Sequence, residues 1–174
     1  MPFGVVINHL AGVAVDAGGN VYVLDSYYGK VWKQTAGNNP TDLPFTDLGR
    51  PFHVAVDPGG DLYVIDGHGS RALKLTPGVD TPALLPFNGL KKPAGVAVDG
   101  AGNVYVSDLD NNQVLKLAAG AANPSPLPLI GVKQPAGVAA DAAGNLYVSD
   151  LGNNQVLKLS AGARSPSVLP VHRP

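Results

Sequence analysis

The chain has 174 residues, of which 45% are hydrophobic and 14% are charged, and its formal net charge is −1. This composition predicts a folded globular protein, and the near-zero charge offers no general attraction to nucleic acid or to an anionic membrane. The absence of cysteine excludes disulfides and zinc–thiolate sites, and all 13 acidic residues are aspartates. Residues 1–7 show no export signal and no apolar span, so we expect no membrane insertion by this chain.

A Gly-Val-Ala-Val-Asp core, or a close variant of it, recurs four times. The four cores end in Asp16, Asp57, Asp99 and Asp141, which are 41, 42 and 42 residues apart. A Gly-rich corner follows each core, and then an apolar run that ends in a second aspartate, at Asp25, Asp66, Asp108 and Asp150. A regular period near 42 residues is typical of solenoids and propellers, in which one unit cannot bury its own apolar face.

Each repeat predicts four short antiparallel strands. The first two are apolar runs on either side of the tight corner, the third alternates in polarity, and the fourth contains a proline that suits a sheet edge. The predicted fourth strands are Leu43–Phe45, Leu84–Phe87, Leu127–Leu129 and Val168–Val171. The interpretation is one all-β propeller domain over residues 1–174, with blades at about 12–46, 53–88, 95–130 and 137–171 and essentially no helix.

The third and fourth repeats carry a family resemblance. The pattern from Pro93 to Leu117, Pro-x-Gly-Val-Ala-Val-Asp-x-x-Gly-Asn-Val-Tyr-Val-x-Asp and onward, returns at Pro135 to Leu159 and resembles the NHL repeat. Together with the Leu-Pro-Phe segments, it most resembles the extracellular propeller of mycobacterial receptor serine/threonine kinases. The resemblance implies a β-propeller and an extracellular sensor, while fold alone does not fix function.

The number of blades leaves two arrangements open. Relatives typically have six blades, whereas this chain has four and a fifth, redundant edge strand within residues 1–4. Four blades could close on themselves, or an open arc could complete a ring with other copies. An arc would expose two apolar faces, so we expect a homo-oligomer, most simply a dimer that contributes eight blades.

Departures from the repeat point to a candidate ligand site. By resemblance, propellers bind ligands on the face formed by the loops that lead into each first strand and by the loops between the second and third strands. The leading loops are residues 4–11, 46–52, 88–94 and 130–136. On or beside this face, the following residues depart from the repeat or carry charge and are predicted to bind a ligand: His53, His68, Arg50, Phe52, Tyr27, Tyr28, Lys91, Lys92 and Lys133.

The same residues also allow interpretations without a ligand site. Neutral drift on surface loops would also produce such departures. His53 and His68 lack a third ligand at a recognisable spacing, so no metal or other cofactor is predicted. The repeated aspartates suit turns, Trp32 aligns with Leu73 and suits the core, and four basic loop residues are too few to predict a nucleic-acid partner.

We therefore expect a non-catalytic binding or sensing module for a protein, a glycan or a small molecule. The alternatives are a propeller enzyme of the lyase or lactonase type and a structural or engineered array. Propeller enzymes of related shape rely on glutamate, which this chain lacks. The sequence also shows no Ser/His/Asp or paired-carboxylate arrangement typical of a catalytic site. The last two repeats differ at only five positions between Gly95–Gly120 and Gly137–Gly162, which indicates recent amplification or design.

Overall fold

The computed structural model describes residues 7–170, and within them four four-stranded antiparallel sheets form, each a meander. The first blade contains β1 (Leu10–Val15), β2 (Val21–Asp25), β3 (Lys30–Gln34) and β4 (Thr41–Asp42). The second contains β5 (Pro51–Val56), β6 (Leu62–Asp66), β7 (Arg71–Leu75) and β8 (Ala83–Leu84). The third contains β9 (Pro93–Val98), β10 (Val104–Asp108), β11 (Gln113–Leu117) and β12 (Ser125–Pro126). The fourth contains β13 (Pro135–Ala140), β14 (Leu146–Asp150), β15 (Gln155–Leu159) and β16 (Ser167–Leu169). The predicted all-β fold of four blades is confirmed.

Helix is confined to a single 3-10 turn in the described part of the chain, at Leu151–Asn153. None of residues 7–170 belongs to a helix of the length and apolarity that a membrane crossing requires.

The corner between the first two strands is built around its aspartate. In the third blade, the amides of Ala101 and Asn103 donate to Asp99 Oδ1 at 3.0 and 2.9 Å, and the Tyr105 hydroxyl donates to Asp99 Oδ2 at 2.8 Å. The tyrosine hydroxyl makes the same bond in the other blades, to Asp16, Asp57 and Asp141. A lysine of the third strand lies across each of these tyrosine rings, 5.5 to 5.6 Å from its centre. These aspartates therefore serve the fold, as the repeat predicted.

The fourth strands lie nearer the N-terminus than predicted, and the prediction of their bounds was wrong by one to three residues. In the first and third blades, Leu43 and Leu127 make the last ladder-like bonds, to Val31 and Val114. Pro44 and Pro128 follow and cannot donate, so the chain bends there. The bend buries Phe45, Phe87 and Leu129, whose side chains are at most 6% exposed. The predicted redundant strand within residues 1–4, and Val171, lie outside the described residues.

The chain divides into two compact units, one ending at Leu85 and the other beginning at Pro86. In each unit, the tyrosine-bearing face of one blade packs on a Val/Leu face of the next. In the first unit Tyr22 and Leu24 meet Val54 and Val64. In the second unit Tyr105 and Val114 meet Val138, Leu146 and Val148. This packing buries the faces of the sheets and leaves the loops at one edge of each blade on the surface. Because the blades are packed, the positions of these loops are fixed.

Candidate functional site

A buried aspartate at the end of each second strand holds the candidate loops in place. Asp66 accepts the amides of Gly49 and Arg50, both at 3.1 Å, and the Arg71 Nε–H at 2.9 Å. Asp108 accepts the amides of Lys91 and Lys92. The corresponding Asp25 and Asp150 accept the amides of Asn8 and Lys133. These bonds tie each leading loop to its own blade, and all four carboxylates are completely buried.

In three of these carboxyls, Asp25, Asp66 and Asp150, burial raises the pKa, but the hydrogen bonds outweigh it. In Asp66, the Arg50 amide and the Arg71 guanidinium hold the pKa below its ordinary value. In Asp25 and Asp150 the donors that lower the pKa are amide groups, led by the Asn8 backbone and the Asn153 side chain respectively. These groups stay ionised at neutral pH, and a poor proton acceptor makes a poor general base.

Aromatic side chains dominate the exposed loop ends of the first unit. Tyr27, Tyr28 and Phe52 are 70%, 56% and 41% exposed. The rings of Tyr27 and Tyr28 meet edge to face, with their centres 4.9 Å apart. Such rings are stiff and amphipathic, and they offer a large contact area at low entropic cost. We call these three residues, with Arg50 and His68, the aromatic loop face.

Glycines make room for two members of the aromatic loop face. The Phe52 ring lies against Gly67, where any Cβ would collide with it. His68 lies against Gly49, where a Cβ would come within 2.6 Å of the His68 Cβ. The turn of the first blade approaches the second in the same way, since Gly29 packs on the carbonyl of Leu48. The predicted residues Arg50, Phe52 and His68 are thus brought together by backbone contacts within the second blade.

His53 occupies a different position from the loop residues. It lies within β5, opposite Ile65, and is half-buried. Among residues 7–170, no three histidine or acidic side chains cluster as ligands of a metal ion would.

The predicted residues of the second unit are basic. Lys91, Lys92 and Lys133 are exposed, and their amides are the ones that bind the buried aspartates. The Lys133 stem packs on Gly152, where a Cβ would lie 2.6 Å from the Lys133 Cβ. These loops are therefore ordered supports for charged side chains, without the aromatic rings of the first unit.

Two contacts of the first unit were not predicted from the sequence. His9 Nδ1 lies 2.9 Å from Ser26 Oγ, which joins the leading loop of the first blade to its turn. Arg71 reaches from Asp66 to the carbonyl of Asp47. Aligning the repeats could have revealed Arg71, because Gln113 and Gln155 occupy its position.

Clefts also open at the opposite edge of the blades. One of about 410 Å³ lies in the second unit beside Asp99, Tyr105 and Ser160, and one of about 360 Å³ lies at the equivalent place in the first unit, beside Tyr22 and Thr76. Because the cleft recurs with the repeat, it follows from the spacing of neighbouring blades and does not single out a specific site.

Comparisons with known proteins support the repeat and the fold. The NHL repeat matches residues 90–117 and 133–159. No curated protein sequence matches the chain.

The chain is similar to solved lyase structures at low sequence identity. A streptogramin B lyase shares 15% identity over 98% of this chain and 57% of its own, with a TM-score of 0.82. Virginiamycin B lyase from Staphylococcus aureus shares 12% over 100% and 59%, with a TM-score of 0.81. A catalytically inactive H270A form of that lyase with quinupristin shares 12% over 92% and 55%, with a TM-score of 0.75. The chain spans somewhat more than half the length of these proteins. It therefore contains NHL repeats in a propeller-like fold, and the closer resemblance to kinase sensors stays a prediction.

Proposed function

We propose that the chain is a non-catalytic binding or sensing module and that the aromatic loop face is its recognition surface. The observation that carries this proposal is the exposure of Tyr27, Tyr28 and Phe52 at 70%, 56% and 41%. The third blade has Asp110, Asn111 and Ala94 at these positions. Exposed aromatic residues beside an arginine and a histidine favour the surface of a protein or a glycan as the ligand. Small molecules are a further ligand class, and the extracellular sensor role implied by the kinase resemblance belongs to the same proposal.

The repeated aspartates support a role without catalysis. The four that end the second strands are completely buried against amide donors. The four at the corners bind the tyrosine hydroxyls. With no glutamate in the chain, few carboxylates are left to act as a general base.

A variant that restores the repeat tests the proposal. In this consensus variant, Tyr27→Asp, Tyr28→Asn, Phe52→Ala and His68→Asp introduce the residues of the third blade. The native chain and the variant would each be applied to an array of oligosaccharides and to a displayed peptide library. We expect at least one class of probe to bind the native chain and to lose at least tenfold in affinity for the variant. Equal binding by both would contradict the assignment of the site. Ile130→Asp, at a 90% exposed position of the second unit, is the matched control.

The lyase alternative rests on the structural likeness alone. Incubation of the chain with quinupristin, followed by mass spectrometry, separates the two functions. We expect quinupristin to remain unchanged, and its conversion would favour the lyase. If the chain neither binds a probe nor converts quinupristin, the result would favour the third alternative, a structural or engineered array.

A further inference from the structure

The fourth blade exposes a sheet face that the third blade buries. Ala97 and Ser107 are 6% and 0% exposed, because the fourth blade packs on them. Their counterparts Ala139 and Ser149 are exposed and half-buried, respectively. The side chains of this face are identical in the two blades, with Tyr147 and Val156 completing it in the fourth. The difference in exposure therefore comes from the missing cover and not from the sequence.

The first blade exposes the opposite kind of face. Val13 and Val15 are 65% and 59% exposed. Val54 and Val138, the counterparts of Val13 in the second and fourth blades, are 3% and 6% exposed, because the preceding blade of their unit packs on them. An apolar depression of about 480 Å³ runs along this surface between Leu10, Val13 and Val21. The first blade thus presents the Val face that a tyrosine-bearing face normally covers.

An independent observation concerns polar atoms on this Val face. Trp32 and Gln34 lie opposite Val23 and Val21 in the ladder, so they share the face. Trp32 Nε1 and Gln34 Oε1 are buried and have no hydrogen-bond partner among residues 7–170. Buried polar groups in proteins are nearly always paired, and residues 7–170 supply no partner for these two atoms.

We propose that the tyrosine-bearing face of the fourth blade binds the Val face of the first blade in a second copy of the chain. The same contact exists within the chain. In each unit, the tyrosine-bearing face of one blade packs on the Val face of the next. In the second unit, the contact includes a bond of 2.5 Å from the Ser107 hydroxyl to the Ala136 carbonyl. By position, Ser149 donates to the carbonyl of Ala11 in the other copy. The chain itself carries one exposed face of each kind, the Val face on the first blade and the tyrosine-bearing face on the fourth.

The contact is head to tail, since two different faces meet. Two copies that satisfy all their faces form two identical contacts, and a dimer is the simplest product. This association is separate from ligand recognition, because neither face includes a residue of the aromatic loop face.

Two variants, each blocking one face, test the proposal. Ala139→Arg places a charge at the centre of the fourth-blade face, and Val13→Asp places one on the first-blade face. Both positions are exposed, so each variant is expected to keep its β-sheet circular dichroism. Masses would be measured by light scattering across a dilution series, with Ile130→Asp as the exposed control. Trp32 is the only tryptophan and lies on the Val face, so its emission reports on docking directly.

We expect the native chain and Ile130→Asp to associate, and each face variant alone to be monomeric. An equimolar mixture of Ala139→Arg and Val13→Asp retains one intact face of each kind, so it should form a dimer of the two variants that stops at two chains. Trp32 emission should shift to shorter wavelength in the mixture and in neither variant alone. A monomeric native chain at high concentration would overturn the proposal. So would self-association of either variant at the native level, because that would require like faces to meet.

Discussion

The Tyr105 hydroxyl donates to Asp99 Oδ2 at 2.8 Å beneath the contact between the last two blades, where both residues are at least 95% buried. Burial, and then the bond to Asp99, raise the pKa of Tyr105 well above its ordinary value. In the first blade the same causes raise the pKa of Tyr22 to about 12. The tyrosine is thus a neutral donor at neutral pH.

Removal of this tyrosine hydroxyl should lower the free energy of unfolding, and the loss should be larger where the hydroxyl is more deeply buried. Tyr105→Phe is expected to lower the free energy of unfolding by about 1–2 kcal/mol, because Asp99 loses a buried donor. Tyr147→Phe removes the equivalent bond to Asp141 in the half-buried fourth blade and should cost less in the monomer. Urea denaturation of the two variants measures the difference, and an equal loss in both would contradict the role of burial.

Paired glycines test the packing between blades. A Cβ on Gly95 would lie 2.6 Å from the carbonyl oxygen of Ala136, whereas a Cβ on Gly137 would meet only the Ser149 side chain. Gly95→Ala should therefore lower the free energy of unfolding by about 1–3 kcal/mol, the usual cost of overpacking. Gly137→Ala should change it little in the monomer. If Gly137→Ala proved the more damaging of the two, the assignment of closed and open faces would be wrong.

Stability should fall in acid. The pKa values of Asp25, Asp66 and Asp150 are lower in the folded chain than the ordinary value of 3.8. A depressed pKa means that the unfolded chain takes up protons first as the pH drops. The stabilisation is thus complete above about pH 5 and is lost as the pH falls through the folded values. Urea midpoints from pH 7 to pH 2.5 measure this loss, and Asp66→Asn should make the dependence shallower. A midpoint that rises on acidification would refute it.

Repeated residues predicted the fold well because each has one local task. The aspartate of a corner and the tyrosine six residues later, such as Asp99 and Tyr105, form the same bond in every blade. The fourth strands were misplaced because Pro44 and Pro128 suit a sheet edge as well as a bend, and only the burial of Phe45 and Leu129 distinguishes them.

The members of the aromatic loop face were identified from the sequence as candidates, but their contacts were not. Comparison of the repeats identified Phe52 and His68 as departures. It could not show that Phe52 lies on Gly67 and His68 on Gly49, because these contacts depend on how a leading loop crosses its turn. The approach of His9 to Ser26 has no counterpart in the other blades, where Arg50 and Gly67 or Lys92 and Leu109 occupy these positions.

The central claim is that repeated residues serve the fold and that the departures of the aromatic loop face serve recognition. The free energy of unfolding of the consensus variant tests this claim most directly. We predict that the four substitutions of this variant together change the free energy of unfolding by less than about 1 kcal/mol, because exposed loop substitutions rarely exceed about 0.5 kcal/mol each. In the third blade, Asn111 occupies the position of Tyr28 and donates to the Asp108 carboxylate, so an asparagine suits this turn. A loss of more than about 2 kcal/mol would show that these side chains stabilise the fold, and it would contradict the claim.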